Sequence, residues 1–258
     1  MTATRPPGSR ARSAIFAPLG DIGRAALVEQ RLAEAIRSGI LTPGERLPSE
    51  PELAGMLGVA VVTVREALIG LRAQGLVVTT RGRGGGTVIA DGGLDDEDAL
   101  AARLAAMSRA EFHDRADHYV LLLAGCAELA AERADAAEVE ALHDLLPDPE
   151  ETHDPGRWRH ADAELWLSIA ALTQSARLTR EVVRSEADFG VLARLPLADP
   201  ATCDVVRERQ EALLSALADG DPDAARRTGR ALLRTTLDAV ARTQAAVHAR
   251  TPTTRSAS

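Results

Sequence analysis

The sequence predicts a mainly α chain in two parts: an N-terminal winged helix-turn-helix (three helices plus a β-hairpin wing) and a C-terminal all-α helical bundle. Three observations carry this. At 258 residues the chain exceeds one ordinary domain and has room for two cores. Ahead of residue 91, helical periodicity gives way to two short β-branched runs around the glycine-rich RGRGGG. Beyond it only helical periodicity recurs, from about Asp98 to Thr243.

Residues 1–20 are rich in Pro, Gly, Ser and Arg and poor in apolar side chains, which predicts a disordered arm. From Arg24, the positions Leu27, Leu32, Ala35 and Ile36 follow helical spacing, and the first helix stops at Gly39, before the turn LTPGERLP. Ser49 stands three residues ahead of Glu52, a capping-box spacing that satisfies orphan amides at a helix start, with Pro51 tolerated in the first turn. The second helix then ends at Gly58. A third, TVREALIGLRAQG, puts Val64, Leu68 and Leu71 on one face and Arg65 and Arg72 off it. LVVTT and TVIA flank a tip carrying Arg81, Arg83 and Gly84, and read as a hairpin wing. Two short helices and a tight turn followed by a wing make a DNA-reading arrangement, so residues 21–91 are expected to form the DNA-binding domain.

The junction DGGLDDE at 91–97 separates this unit from a helical domain over residues 92–248, with proline-containing breaks near 147–155, 196–200 and 222. That spacing predicts six or seven helices. Residues 249–258 are polar and Pro/Thr/Ser-rich, which predicts a disordered tail.

A net charge of −8 looks wrong for a DNA binder, since phosphate neutralisation supplies much of the affinity. Its distribution removes the objection. Residues 1–91 hold eleven arginines against eight acidic residues, and the remainder nineteen against thirty. All basic residues are arginine and asparagine is absent, a bias of GC-rich coding that weakens any argument from arginine abundance. No apolar run reaches membrane-spanning length and the N-terminus lacks a secretory apolar segment, so a cytoplasmic protein is expected. Cys126 and Cys203 match no zinc or redox spacing and are expected to be free buried thiols.

Over about 70 residues, the run PGERLPSEPELAGMLGVAVVTVREALIGLRAQGLVVTTRGRGGGTVI resembles the GntR family of bacterial regulators. The second half, with DAELW and ALADGDPDAA, resembles the effector domain of the FadR-type branch. The resemblance implies a homodimer on a pseudo-palindromic double-stranded DNA operator, usually as a repressor, released by a small-molecule effector in the helical domain. It places Thr63 and Arg65 at recognition positions in the major groove, with Ser49 and Arg72 nearby and Arg81, Arg83 and Gly84 at the minor groove. A guanidinium reads guanine O6 and N7 or grips phosphate. The chain departs from the pattern at Pro51, where relatives often carry arginine, and at Ala60-Val61, where they usually carry Ser-Arg. Ala60 offers no hydroxyl cap, at a cost of about 1 kcal/mol. Val61 and Val62 are instead suited to thymine methyl groups.

Many relatives hold a divalent metal with one Asp and three His, the first pair spaced Asp-x-x-x-His. Here Asp162 keeps the first position while Trp166, Gln210 and Leu232 align with the others. An indole and an isobutyl group cannot ligate a cation, so no metal and no cofactor is expected. The expected effector site then comprises Tyr119, Asp162, Trp166 and Gln210, with Trp166 either lining the pocket or filling the vacated site. His160 and Glu164 are spaced to pair on a helix surface, whereas His113 and His118, five apart, share no face well. No nucleophile elbow, His-Glu-x-x-His pattern or phosphate loop after a strand occurs, which argues against an enzyme. A ligand-blind dimer whose helical domain only dimerises is the alternative reading.

Overall fold

Helix α1 (Arg24–Arg37) turns Val28, Leu32, Ala35 and Ile36 inward against α3 (Val61–Ala73), whose Val64, Leu68 and Leu71 are equally buried. The computed structural model describes residues 23–80, 86–90, 97–147 and 155–250. The two helices approach closely at Gly70, where a Cβ would overlap the Glu29 carboxylate. Between them in the sequence comes α2 (Glu50–Leu57), which packs on α3 and is begun by a complete capping box. The Ser49 hydroxyl accepts from the Glu52 amide at 3.4 Å and the Glu52 carboxylate accepts from the Ser49 amide at 2.8 Å. Gly58 closes α2 in the left-handed conformation, φ 67°.

Two features of this unit differ from the sequence reading. Helix α3 begins at Val61 rather than Thr63, with Ala60 as an N-cap that makes no side-chain bond. β1 (Val77–Thr80) pairs antiparallel with β2 (Gly86–Ile89), in register from Val77↔Ile89 to Thr80↔Gly86. The segment read as a turn before α2 also joins this sheet. Arg46 bridges to Val88, Leu47 N–H donates to Thr87 O and Ile89 N–H to Glu45 O, both at 2.9 Å. These bonds satisfy backbone groups along the outer edge of β2 and fix the wing to the helices.

The second unit contains α4 (Glu97–Ala106), α5 (Arg109–Arg133), α6 (Ala136–His143), α7 (Pro155–Leu172), α8 (Ala176–Asp188), a 3-10 segment (Gly190–Ala198), α9 (Pro200–Ala218) and α10 (Pro222–Arg250). Local chemistry starts them: Ser108, Asp135, Ser175 and Asp199 cap α5, α6, α8 and α9 with their side chains. Pro155, Pro200 and Pro222 each occupy a first helical residue, where the missing N–H costs nothing. α5 lies along α10, α9 packs on α10, and α7 sits between α5, α8 and the 3-10 segment. The last helix continues through Arg250, past Ala249 where the tail was expected to begin. The arm at 1–20, most of the 91–97 junction and residues 251–258 lie outside the described residues.

The two units touch through α1 and α8, and Arg184 approaches Glu34 at 3.5 Å. His160, 3.7 Å from Glu164, also borders this junction, its Nδ1 beside Gly39. Cys126 and Cys203 are free and buried. Burial pushes their thiols up to about 12 and about 11, which leaves them protonated and unreactive. No single described helix is long and apolar enough to cross a membrane.

Candidate nucleic-acid interface and buried polar site

The first two turns of α3 present an open surface. Val61 and Val62 are exposed, Thr63 is half-buried, and the Arg65 side chain is 60% exposed. Arg65 is not idle there. Its Nε and Nη2 donate to Glu50 Oε2 at 3.0 and 2.8 Å, which raises the guanidinium pKa above its ordinary value. The pair is exposed and screened by solvent, so it holds Arg65 only weakly.

Other residues of the expected interface do different work. The Ser49 hydroxyl is taken up by the cap of α2. Arg72 Nη1 donates to Thr79 Oγ1 at 3.1 Å, and Thr79 meets Thr87 at 3.2 Å, so Arg72 ties the end of α3 to the wing strands. Arg81, Arg83 and Gly84 lie outside the described residues.

Inside the bundle, Tyr119, Asp162 and Gln210 converge on two residues that the sequence reading missed, Arg159 and Glu186. Tyr119 Oη donates to Glu186 Oε1, and Arg159 Nη2 donates to Glu186 Oε2. Gln210 Nε2 donates to Asp162 Oδ1 at 3.0 Å. All five are buried. Burial and the Glu186 charge raise the Tyr119 hydroxyl well above its usual pKa, which keeps it a donor. Burial works against the Arg159 charge, but Glu186, Tyr119 and Asp162 more than offset it. Asp162 is pushed up to about 6, by burial first, with Glu186 adding and Arg159 and the Gln210 amide opposing. Arg159 Nε and Nη1 and Gln210 Oε1 are buried without a hydrogen-bond partner among the described residues. Such unmade bonds cost roughly 1–3 kcal/mol each, more for a charged group.

Two small residues make room for this cluster and its neighbour. A Cβ on Gly190 would fall against the Glu186 carboxylate and 2.8 Å from Tyr119 Oη. Trp166 is 1% exposed and packs over Gly229, where a Cβ would sit 3.4 Å from its Cη2. The indole is thus a filled part of the core. Arg159 and Glu186 had a readable signal: Glu186 continues the buried face Thr179, Val182 and Val183 of α8, and Arg159 shares the α7 face of Ala163, Trp166 and Ala170.

Comparison with known proteins agrees with this architecture. Residues 24–89, from α1 through β2, match the model for bacterial regulatory proteins of the gntR family, and residues 114–235 match the FCD domain. The HTH-type transcriptional regulator RmpR of Mycobacterium gastri is 32% identical over 218 residues, 84% of this chain and 80% of that protein. The chain belongs to the GntR family. The HTH-type regulator Mce2R of Mycobacterium tuberculosis is 31% identical over 212 residues, 80% of this chain and 87% of that protein. Among solved structures, E. coli McbR/YncC aligns over 86% of this chain and 99% of that chain, with 18% identity and a TM-score of 0.49. This GntR protein is a transcriptional regulator with an FCD domain, not an enzyme.

The divalent cation that the GntR resemblance implies does not fit the residues present. Asp162 accepts from the Gln210 amide and shares its surroundings with the Arg159 guanidinium, while Trp166 and Leu232, both 1% exposed, supply no donor atom. No group of three or more His, Cys, Asp or Glu side chains suited to a metal occurs among the described residues. The fixed positive charge near Asp162 is the guanidinium itself.

Proposed function

We propose that this GntR regulator is a cytoplasmic homodimer that represses transcription from a pseudo-palindromic operator and releases it when a small acceptor-bearing molecule, such as an organic acid, enters the FCD domain. The observation that carries the ligand-responsive reading is the unfinished hydrogen bonding of Arg159 and Gln210. Two open N–H groups of a buried guanidinium call for acceptor oxygens, and Gln210 Oε1 calls for a donor. A hydroxy acid carries both.

Operator recognition is assigned to the first two turns of α3. Arg65 exchanges Glu50 for a guanine edge or phosphate, Thr63 hydrogen-bonds nearby, and Val61 and Val62 face thymine methyl groups. Arg81, Arg83 and Gly84 serve the minor groove on the strength of the family pattern. Two copies are needed because one recognition helix reads only a few base pairs. Helix α8 links the two sites, for it holds Glu186 inside the bundle and Arg184 against Glu34 of α1.

The test has two stages. Duplex fragments selected from random DNA by the purified protein define the operator. Organic acids are then titrated into the complex and followed by fluorescence anisotropy, with wild type and Arg159→Met compared. The expected result is an inverted-repeat operator and an acid that lowers wild-type affinity but not that of Arg159→Met. An operator without two-fold symmetry would refute the dimer reading. Responses equal in wild type and Arg159→Met would refute the effector site.

A further inference from the structure

The first two turns of α3 carry two charged side chains, Arg65 and its neighbour Glu66, and both are exposed. Helical spacing sets Val62, Glu66 and Ile69 along the line opposite the buried Val64, Leu68 and Leu71. Val62 and Ile69 are each more than half exposed. Glu66 therefore stands in the middle of the open face, while Arg65 lies to one side, a turn beyond Val61.

Among the described residues the Glu66 carboxylate has no hydrogen bond and no ion pair. The positions three and four residues away, which could serve it on the same helix, hold Val62, Thr63, Ile69 and Gly70, none of them basic. Arg65 turns to Glu50 instead. In water such a carboxylate is content, but with α3 in the major groove it comes among phosphates that repel it. Only a donor on a base edge offsets that repulsion. Guanine offers O6 and N7 and thymine O4 and a methyl group, so neither donates there. Cytosine donates from N4, whereas adenine sets the acceptor N7 beside its N6 amino group. A carboxylate, which only accepts, fits cytosine best.

We propose that Glu66 is a specificity-determining residue that accepts from the N4 amino group of one cytosine in each half-site, next to the base pair or phosphate met by Arg65. The inference rests on the assignment of operator recognition to the first two turns of α3. The two side chains point about 100° apart around the helix, so they address different groups in the groove. Glu66 acts largely by exclusion. Opposite a base that presents only acceptors, phosphate repulsion stays unbalanced and the wrong sequence is rejected.

Operators are selected from random duplex DNA in parallel by the full chain and by Glu66→Gln, Glu66→Ala and Arg65→Ala. Affinities for the wild-type operator, its single-base variants and unrelated DNA are then measured by fluorescence anisotropy at one fixed salt concentration. The wild type is expected to select cytosine at one position per half-site, and replacing that base should cost about tenfold in affinity. Glu66→Gln should move the preference there to adenine, whose N6 and N7 a carboxamide reads together. Glu66→Ala should accept any base at that position and bind unrelated DNA more tightly, because a repelling charge is gone. Melting temperatures should stay close to wild type, since the side chain is exposed.

Identical base preferences in wild type and both Glu66 variants, with specific binding lost in Arg65→Ala, would overturn the role of Glu66 and leave the recognition surface standing. A uniform gain in affinity across all sequences would also overturn it, for Glu66 would then be a source of repulsion alone. Specific binding unchanged in Arg65→Ala as well would remove the surface and the proposal together. Should one Glu66 variant fail to fold, the other decides: a lost or altered cytosine preference supports the contact, and a retained one removes it.

Discussion

Arg159 of α7 and Glu186 of α8 form an ion pair inside the FCD domain, with side chains only 8% and 0% exposed. Removing one member leaves the other as an uncompensated buried charge, which costs roughly 3–5 kcal/mol, whereas replacing both with apolar groups of similar volume is often neutral. Arg159→Met and Glu186→Leu should therefore each destabilise strongly, and the double variant should be more stable than either. Urea denaturation of the four proteins measures the cycle. Losses that simply add would show that the two groups are not coupled.

The DNA-binding unit was legible because its determinants are local. The Ser49-Glu52 capping box, the glycine at Gly58 and the 3.6-residue spacing of Val64, Leu68 and Leu71 each act within a few residues. The bridge from Arg46 to Val88 was not legible, since a single pairing with a later strand leaves no periodic trace. Tyr119, Asp162 and Gln210 were reached through family resemblance, but the partner of Tyr119, Glu186, comes from α8, and the guanidinium that pairs with Glu186, Arg159, comes from α7. Charged residues in helices are usually solvated, so Arg159 and Glu186 read as surface unless their place on the apolar stripe is noticed. The α1–α8 contact was hidden for the opposite reason. Both faces are polar, and nothing in a polar face names its partner.

Arg65→Ala should weaken specific operator binding about tenfold or more while the protein stays folded, because the side chain is exposed and its hydrogen bonds among the described residues go to Glu50. Glu50→Gln should act in the opposite direction and raise affinity by about threefold, since Arg65 no longer has to leave a carboxylate. Fluorescence anisotropy on the selected operator measures both. Unchanged affinity in Arg65→Ala would sink the assignment of the recognition surface.

Purified protein should carry no stoichiometric zinc, nickel or manganese, and a chelator should shift neither its melting temperature nor its DNA affinity. A transition-metal site needs several converging N or O donors, and the family positions here hold Asp162, Trp166, Gln210 and Leu232. Elemental analysis after dialysis checks this. About one metal per chain, lost in Asp162→Ala, would refute the alignment of the FCD helices.

The pH dependence of stability gives a separate reading of the same carboxyl group. Asp162 has its pKa raised from 3.8 to about 6 in the folded protein, by burial first. The folded state therefore holds the proton more tightly than the unfolded state between those values. Stability from this group is present in full at the acid end of the window and is lost as pH rises through it, by about 3 kcal/mol in total. Asp162→Asn cannot titrate, so the difference in unfolding free energy between wild type and this variant should move against wild type from pH 4 to 7 and then flatten. Denaturant midpoints across that range supply the measurement, and parallel curves would remove the claim. A cation held beside Asp162 would favour the ionised carboxylate and depress the folded pKa, which reverses the slope. The direction of the pH dependence thus tests whether a cation sits beside Asp162.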